Sequence, residues 1–249
     1  MKVLSLIASA MAAGGALAKS VILDPENTAS GKPVAIVWIH GMKCEPEAYQ
    51  KPAVEFQKAA EAQGYKAWVG IPEFAFDVPE PILIDHYVES TIADLRKQGF
   101  TGDNVFLAAH SLGGVMTQIY TKLKPHAAKG QILMGSVLNQ DKRSINKQGE
   151  TEINTSIPTL TLAGEKDGLL RITRGAVSYY HEEQNITPSQ KGHYRVYALD
   201  GVSHASFMDS SMLPDNVKKN DLSPEIDEQE GHQKIAKTMV GWISDVLGD

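Results

Sequence analysis

Apolar runs rich in β-branched residues alternate along the chain with stretches whose apolar positions recur every three or four residues. The runs Val34–His40, Lys66–Ile71, Asn104–Ala109, Gly130–Met134, Thr159–Ala163 and Tyr194–Leu199 read as strands, continuous enough in apolar character to be buried on both faces. Ile84, Val88, Ile92 and Leu95 fall on one helix face, as do Leu112, Val115, Met116, Ile119 and Leu123. Near the C-terminus Ile235, Met239, Ile243 and Val246 repeat the pattern. A helix between successive strands of one sheet is the unit that builds a mostly parallel sheet, so the pattern predicts an α/β fold with helices flanking that sheet. The helical stripes are packing surfaces.

Two longer connections interrupt the alternation. Gly135–Pro158 is polar and follows a strand, and Phe207–Gly231 carries prolines and the acidic run Glu225–Glu230. Connections beyond about 12–15 residues are usually functional or disordered, so either borders a site in the expected fold, although a charge run by itself reads first as a solvated face. No fixed-period repeat and no linker divides the chain. Residues 19–249 are expected to form one domain.

The N-terminus departs from this pattern. Lys2 supplies a positive start, Val3–Ala13 an apolar run, Gly14-Gly15 a break, and Ala16-Leu17-Ala18 the small residues of a cleavage site. Residues 1–18 therefore read as a secretory signal peptide, and the localisation expected is secreted. The run is too short to span a bilayer, and no second apolar stretch is long enough for a membrane anchor.

Composition narrows the function classes. A net charge of −6 with no strongly basic stretch leaves no electrostatic footprint for nucleic acid. Cys44 is the single cysteine, which rules out an intrachain disulfide and reads as a small buried hydrophobe. Asn154-Thr-Ser156 and Asn185-Ile-Thr187 match the glycosylation acceptor pattern. No His, Cys and carboxylate spacing reads as a metal site, and no Gly-x-Gly-x-x-Gly follows a strand, so neither metal nor nucleotide cofactor is expected.

The chemistry concentrates where a buried strand turns abruptly into a helix, at Ala109-His110-Ser111-Leu112-Gly113. A turn that tight strains its central residue, requires small residues two before and two after, and projects the side chain above the sheet. Ser111 is that central residue, and it opens a helix whose N-terminal amides favour developing negative charge. A serine hydroxyl is a weak nucleophile at neutral pH and needs a base oriented by an acid. Past the strand Thr159–Ala163 lies Gly164-Glu165-Lys166-Asp167, and past Tyr194–Leu199 lies Gly201-Val202-Ser203-His204. The order serine, acid, histidine differs from that of chymotrypsin and of subtilisin.

With these residues in place, the chain from about Val34 to its last helix resembles the α/β-hydrolase superfamily, of serine-esterase type and without a large cap domain. The resemblance implies Ser111 as nucleophile, His204 as base and Asp167 as acid, with Glu165 the alternative acid. It also implies an oxyanion hole formed by the backbone amides of Leu112 and, in the His40-Gly41-Met42 loop, Met42. Ala109 stands where glycine is commoner in the family's elbow, which keeps the small-residue requirement. His40 is expected to support the oxyanion loop and His110 to pack within the elbow, while His86, His126, His181, His193 and His232 read as surface or capping residues.

In an open α/β sheet the ligand lies beyond the carboxyl ends of the strands, which makes Phe74, Phe76, Val137, Leu138, Leu169 and Phe207 the candidate substrate-binding wall beside Met42. Their apolar character points to a small-molecule ester with a hydrophobic part. The expected function is a secreted hydrolase that cleaves a carboxylic ester through an acyl-enzyme. The alternatives are an acyltransferase with the same triad, a peptidase of the same fold, and a secreted binding protein on the same scaffold. The segment after the oxyanion loop and Ser203-His204-Ala205-Ser206-Phe207 are loosely similar to dienelactone-hydrolase-like and chlorophyllase-like members of the superfamily.

Overall fold

The computed structural model describes residues 20–26, 30–145, 151–153 and 157–249. The leader read at 1–18 and the acceptor Asn154-Thr-Ser156 lie outside these residues, as do the side chains of His181 and Asn185. Strand β1 is Val21–Leu23, β2 Lys32–Ile39, β3 Tyr65–Ile71, β4 Val105–His110, β5 Gly130–Met134, β6 Gln140–Ile145, β7 Thr151–Ile153, β8 Thr159–Gly164 and β9 Tyr194–Leu199. The helices are α1 Gln50–Ala62, α2 Ile84–Lys97, α3 Leu112–Leu123, α4 Ile172–Asn185, α5 Asp215–Asn220 and α6 Glu228–Leu247.

Seven strands form one sheet in the order β1-β3-β2-β4-β5-β8-β9, every neighbouring pair parallel except β1 on β3. Strand β2 shows why both faces are apolar. Successive side chains of a strand point to opposite faces, so Val34, Ile36 and Trp38 join one core with Phe56, Ile235, Met239 and Ile243. Ala35, Val37 and Ile39 join the other with Val88, Leu95 and Leu107. The stripes of α2 and α6 meet the sheet as their spacing predicts. Helix α3 instead turns Gly113, Gly114, Thr117 and Thr121 inward and leaves Leu112, Val115, Met116 and Ile119 half-buried and Leu123 exposed, because close approach to the sheet there needs small residues.

Strand β9 is the exception. Among the described residues it pairs only with β8, and its residues alternate between half-buried and exposed as far as Tyr197, with Leu199 alone fully buried. It is an edge strand packed by α4 on one face, where the apolar run predicts burial on both. Strand β1 is too short for its periodicity to be read. Helices α1 and α4 bury small or polar residues such as Ala53, Ala60, Gly175 and Ser178, so their apolar stripes are weak.

The two long connections are built rather than empty. The first holds the β6–β7 hairpin, and Gln118 ties its start to α3 by donating to the Val137 carbonyl and accepting from the Asn139 amide. The second holds α5, and its acidic run is put to use: Asp227 caps α6 by accepting from the Glu230 amide, and Glu228 pairs with Lys51 and Ser210.

Candidate active site

Strand β4 ends at His110 and α3 begins at Leu112, leaving Ser111 between them at φ 53°, ψ −123°. A non-glycine residue held there costs about 1–3 kcal/mol and persists only where its surroundings over-determine it. They do so here: the Ser111 amide donates to the Met134 carbonyl at 3.0 Å, and the Gly114 amide to the Ser111 carbonyl at 3.1 Å. The glycines after the serine are required by space. A Cβ on Gly113 would sit 2.6 Å from the carbonyl oxygens of both Ile39 and His40, and one on Gly114 would sit 2.4 Å from Ser136 Oγ.

Asp167 follows β8 and His204 follows β9, both at the carboxyl-terminal edge of the sheet where β4 delivers Ser111. Their side chains are buried, with His204 Nδ1 2.8 Å from Asp167 Oδ2. The other carboxylate oxygen accepts from the Leu169 amide at 2.9 Å and the Leu170 amide at 2.6 Å. A carboxylate so engaged is an acceptor, so Nδ1 carries the shared proton and Nε2 is left as the basic atom. Glu165 faces elsewhere: it is exposed, accepts from the Gly201 amide at 3.0 Å and lies 3.6 Å from Lys166 Nζ. Gly135, at φ 48°, runs beneath the pair, and a Cβ on it would lie 3.0 Å from His204 Nδ1 and 3.1 Å from Asp167 Oδ2.

The His40-Gly41-Met42 loop packs against the elbow, a Cβ on Gly41 coming within 3.3 Å of Ser111 Cβ. Its internal bonds sort the amides. The Gly41 N–H donates to the Tyr49 hydroxyl at 3.0 Å, while His40 Nδ1 donates to the Gly41 carbonyl at 2.9 Å. The Met42 and Leu112 N–H groups have no acceptor among the described residues, and each is one residue on from a part of the Gly41–Ser111 contact. Burial holds His40 below the usual imidazole range. Burial, reinforced by the neighbouring His204, holds His110 well below it. His110 is therefore neutral, and its ring centroid lies 4.4 Å from that of His204.

The candidate wall residues divide by exposure. Phe74 and Phe207 are fully buried, the first packed edge-on against His40 and the second against His110, and Leu138 is buried as well. Their side chains back the site from within the core. Val137 and Leu169 are half-buried, Met42 is 42% exposed and Phe76 is 90% exposed. Phe76 and Asp77 both take positive φ, and the Asp77 carbonyl accepts from the Lys43 amide at 2.7 Å, which fixes that loop to the segment after His40-Gly41-Met42.

Of the histidines read as surface residues, His232 is buried, its Nε2 3.2 Å from the Met208 carbonyl, because α6 turns that position inward. Cys44 is buried, and burial pushes its thiol up to about 11, which makes it unreactive. A groove of about 620 Å³ beside Arg96, His126 and Pro158 lies at the opposite, amino-terminal end of the strands. Tyr49 and Gly135 are site residues that the sequence pattern does not single out. A glycine directly after a buried strand is the available signal for Gly135, whereas nothing local marks Tyr49.

No protein-family model matches the chain, and no curated protein matches it. Solved structures do. Est1E from Butyrivibrio proteoclasticus is 13% identical, with 90% of this chain and 94% of that one covered at a TM-score of 0.55. A soluble variant of the monoglyceride lipase from Saccharomyces cerevisiae, solved with a substrate analogue, is 11% identical, with 91% of each chain covered at a TM-score of 0.56. The esterase domain of a Rhodothermus marinus protein is 13% identical, with 91% and 97% covered at a TM-score of 0.53. Likeness over nine-tenths of the chain at so low an identity is likeness of fold, and the fold is that of the α/β-hydrolases.

Proposed function

We propose that this α/β-hydrolase chain is a serine hydrolase that cleaves a small carboxylic ester with a hydrophobic part. The observation that carries the reading is the buried His204–Asp167 pair at 2.8 Å, set at the same sheet edge as a serine in the strained elbow conformation. Ser111 Oγ attacks the ester carbonyl as His204 Nε2 takes its proton, and Asp167 stabilises the imidazolium without itself taking the proton. The negative charge on the carbonyl oxygen is met by the Met42 and Leu112 N–H groups, whose freedom from other partners supports that role. One such donor is worth about 10²–10³ in rate in measured enzymes. Collapse expels the alcohol, which receives the proton held by His204. Water then attacks the acyl-enzyme with His204 again as base, and the acid leaves as Ser111 regains its proton.

The test is hydrolysis of p-nitrophenyl esters from acetate to palmitate, with a fluorophosphonate probe of the serine, by the protein and by Ser111→Ala. Activity and labelling that vanish together in the variant establish the reaction, and the chain-length optimum reports the pocket. Absence of both in the unaltered protein would leave the scaffold as a binding protein. The same reading includes export: N-terminal sequencing of the protein from its host's secreted fraction is expected to begin at Lys19.

A further inference from the structure

Asp221 lies in the long connection before α6, away from every motif in the sequence, and its carboxylate joins the two loops that carry the acid and the base. Oδ1 accepts from the Gly168 amide at 2.9 Å and the His204 amide at 3.2 Å, and Oδ2 accepts from the Ala205 amide at 2.7 Å. Gly168 follows Asp167 directly, so one side chain holds the backbone next to the acid and the backbone of the base itself. The carboxylate is itself held. Asp221 ends α5, and its own amide donates to the Val217 carbonyl at 2.9 Å, with Val217 buried.

A second observation points the same way. The Gly168 backbone lies so close to the Asn220–Leu222 segment that a Cβ would sit 2.4 Å from the Asn220 carbonyl oxygen and 2.9 Å from Asp221 Cα. The acid loop and the Asp221 segment are thus in backbone contact, and only glycine fits between them. Charged acceptors make stronger hydrogen bonds than neutral ones, and reacting groups displaced by about 1 Å can lose about 100-fold in rate.

We infer that Asp221 is a positioning residue that fixes the separation and orientation of Asp167 and His204 by bridging their loops through three backbone amides. The inference rests on the reading of Ser111, His204 and Asp167 as a hydrolytic triad. A residue acting in this way governs the chemical step and not ester binding. Asp221→Ala is therefore expected to lower kcat by about 10- to 100-fold with KM within about twofold. Asp221→Asn keeps one acceptor for Gly168 and His204 but sets an amide group against the Ala205 N–H, so its kcat falls between those of the parent and Asp221→Ala. Gly168→Ala reaches the same contact from the other side and is expected to lower kcat without altering Asp221. Lys219→Ala, on the exposed face of α5, serves as the control with unchanged activity.

The experiment measures kcat and KM on a p-nitrophenyl ester together with two readouts that need no turnover. These are the low-field proton resonance of His204 Nδ1 and the hydrogen-exchange rates of the Gly168, His204 and Ala205 amides. Loss of kcat at constant KM, a broadened resonance and faster exchange at those amides in Asp221→Ala support the inference. A thermal destabilisation with kcat, resonance and exchange at 25 °C unchanged overturns it. If the unaltered protein turns over no ester, the functional reading fails, and the resonance and exchange data still decide the role of Asp221. If Asp221→Ala does not fold, Asp221→Asn and Gly168→Ala decide it by the same measures.

Discussion

The Tyr49 hydroxyl lies 2.7 Å from His110 Nδ1 and, on its other side, accepts the Gly41 N–H at 3.0 Å. A phenol has a single proton to donate, so accepting from Gly41 leaves that proton for His110, whose Nδ1 is the acceptor and whose Nε2 carries the ring hydrogen. Tyr49 thus fastens the His40-Gly41-Met42 loop to the strand-to-helix turn and selects the His110 tautomer, at a fully buried position.

Tyr49→Phe removes both bonds and nothing of the ring packing against Trp38 and His40. It leaves the buried Gly41 N–H and His110 Nδ1 without partners, at about 1–3 kcal/mol for each such group. A lower thermal midpoint is expected, with kcat reduced by about tenfold through the loosened His40-Gly41-Met42 loop and KM little changed. Calorimetry and ester kinetics measure both. A variant as stable and as active as the parent would refute the fastening role.

Gly135→Ala addresses the floor beneath the His204–Asp167 pair. Its φ of 48° costs an L-residue about 1–2 kcal/mol, and the new methyl would press His204, Asp167 and Phe207 at 3.0, 3.1 and 3.2 Å. Stability is expected to fall by at least that amount, the close contacts adding to the backbone cost, and kcat by about 10- to 100-fold. Gly241→Ala is the contrast, because Gly241 is exposed within α6 with open space around its Cβ position. It is expected to raise stability by about 0.8–1 kcal/mol and leave kcat alone. Urea titration of the two variants beside each other checks the opposite signs, and equal effects would sink the distinction.

These residues also mark how much the sequence can tell. The sheet interior is legible because strands buried on both faces carry unbroken apolar runs, as Val34–Ile39 and Val105–Ala109 do. Ser111 is legible because a tight strand-to-helix turn restricts its neighbours to small residues. His204 follows a strand as the pattern expects, whereas the loop after Thr159–Ala163 offers both Glu165 and Asp167, and the choice of Asp167 rests on the family resemblance and not on position. Tyr49 meets His110 across 61 residues and Asp221 meets Gly168 across 53, so neither leaves a local trace. His232 departs from its surface reading because the stripe of α6 begins earlier than Ile235, at a polar residue that packs inward. Strand β9 departs from two-faced burial because an apolar run does not say how many neighbours a strand will have.

The buried histidines give the fold an acid limit. Burial lowers His40, His110 and His232 below 6.5, partly offset at His40 by its bond to the Gly41 carbonyl and at His232 by Met208. The unfolded chain binds protons at these positions below about pH 6.5 while the folded chain does not. Stability is therefore full above that pH and declines as pH falls below it toward the folded values. Urea midpoints at pH 7.5 and pH 5 are expected to differ in that direction, and His232→Gln is expected to reduce the difference. A midpoint that holds steady across this interval would contradict the assignment.

Glu182 pulls the other way. It is buried on α4 with Oε1 lacking a hydrogen-bond partner among the described residues, and burial, with Glu183 adding to it, raises its carboxyl to about 8. The folded chain holds this proton from about pH 4.5 up to about 8 while the unfolded chain has lost it. Stability consequently falls as pH rises through that window, by up to about 1.4 kcal/mol per unit. Glu182→Gln keeps the shape and removes the titration, so it is expected to match the parent near pH 5 and to exceed it in thermal midpoint by several degrees at pH 8.5. One group acts here against three histidines acting below pH 6.5, so the parent's own maximum is expected near neutrality and the variant's shifts to higher pH. A Glu182→Gln protein whose advantage is the same at pH 5 and pH 8.5 would show that packing, and not the buried charge, sets the difference.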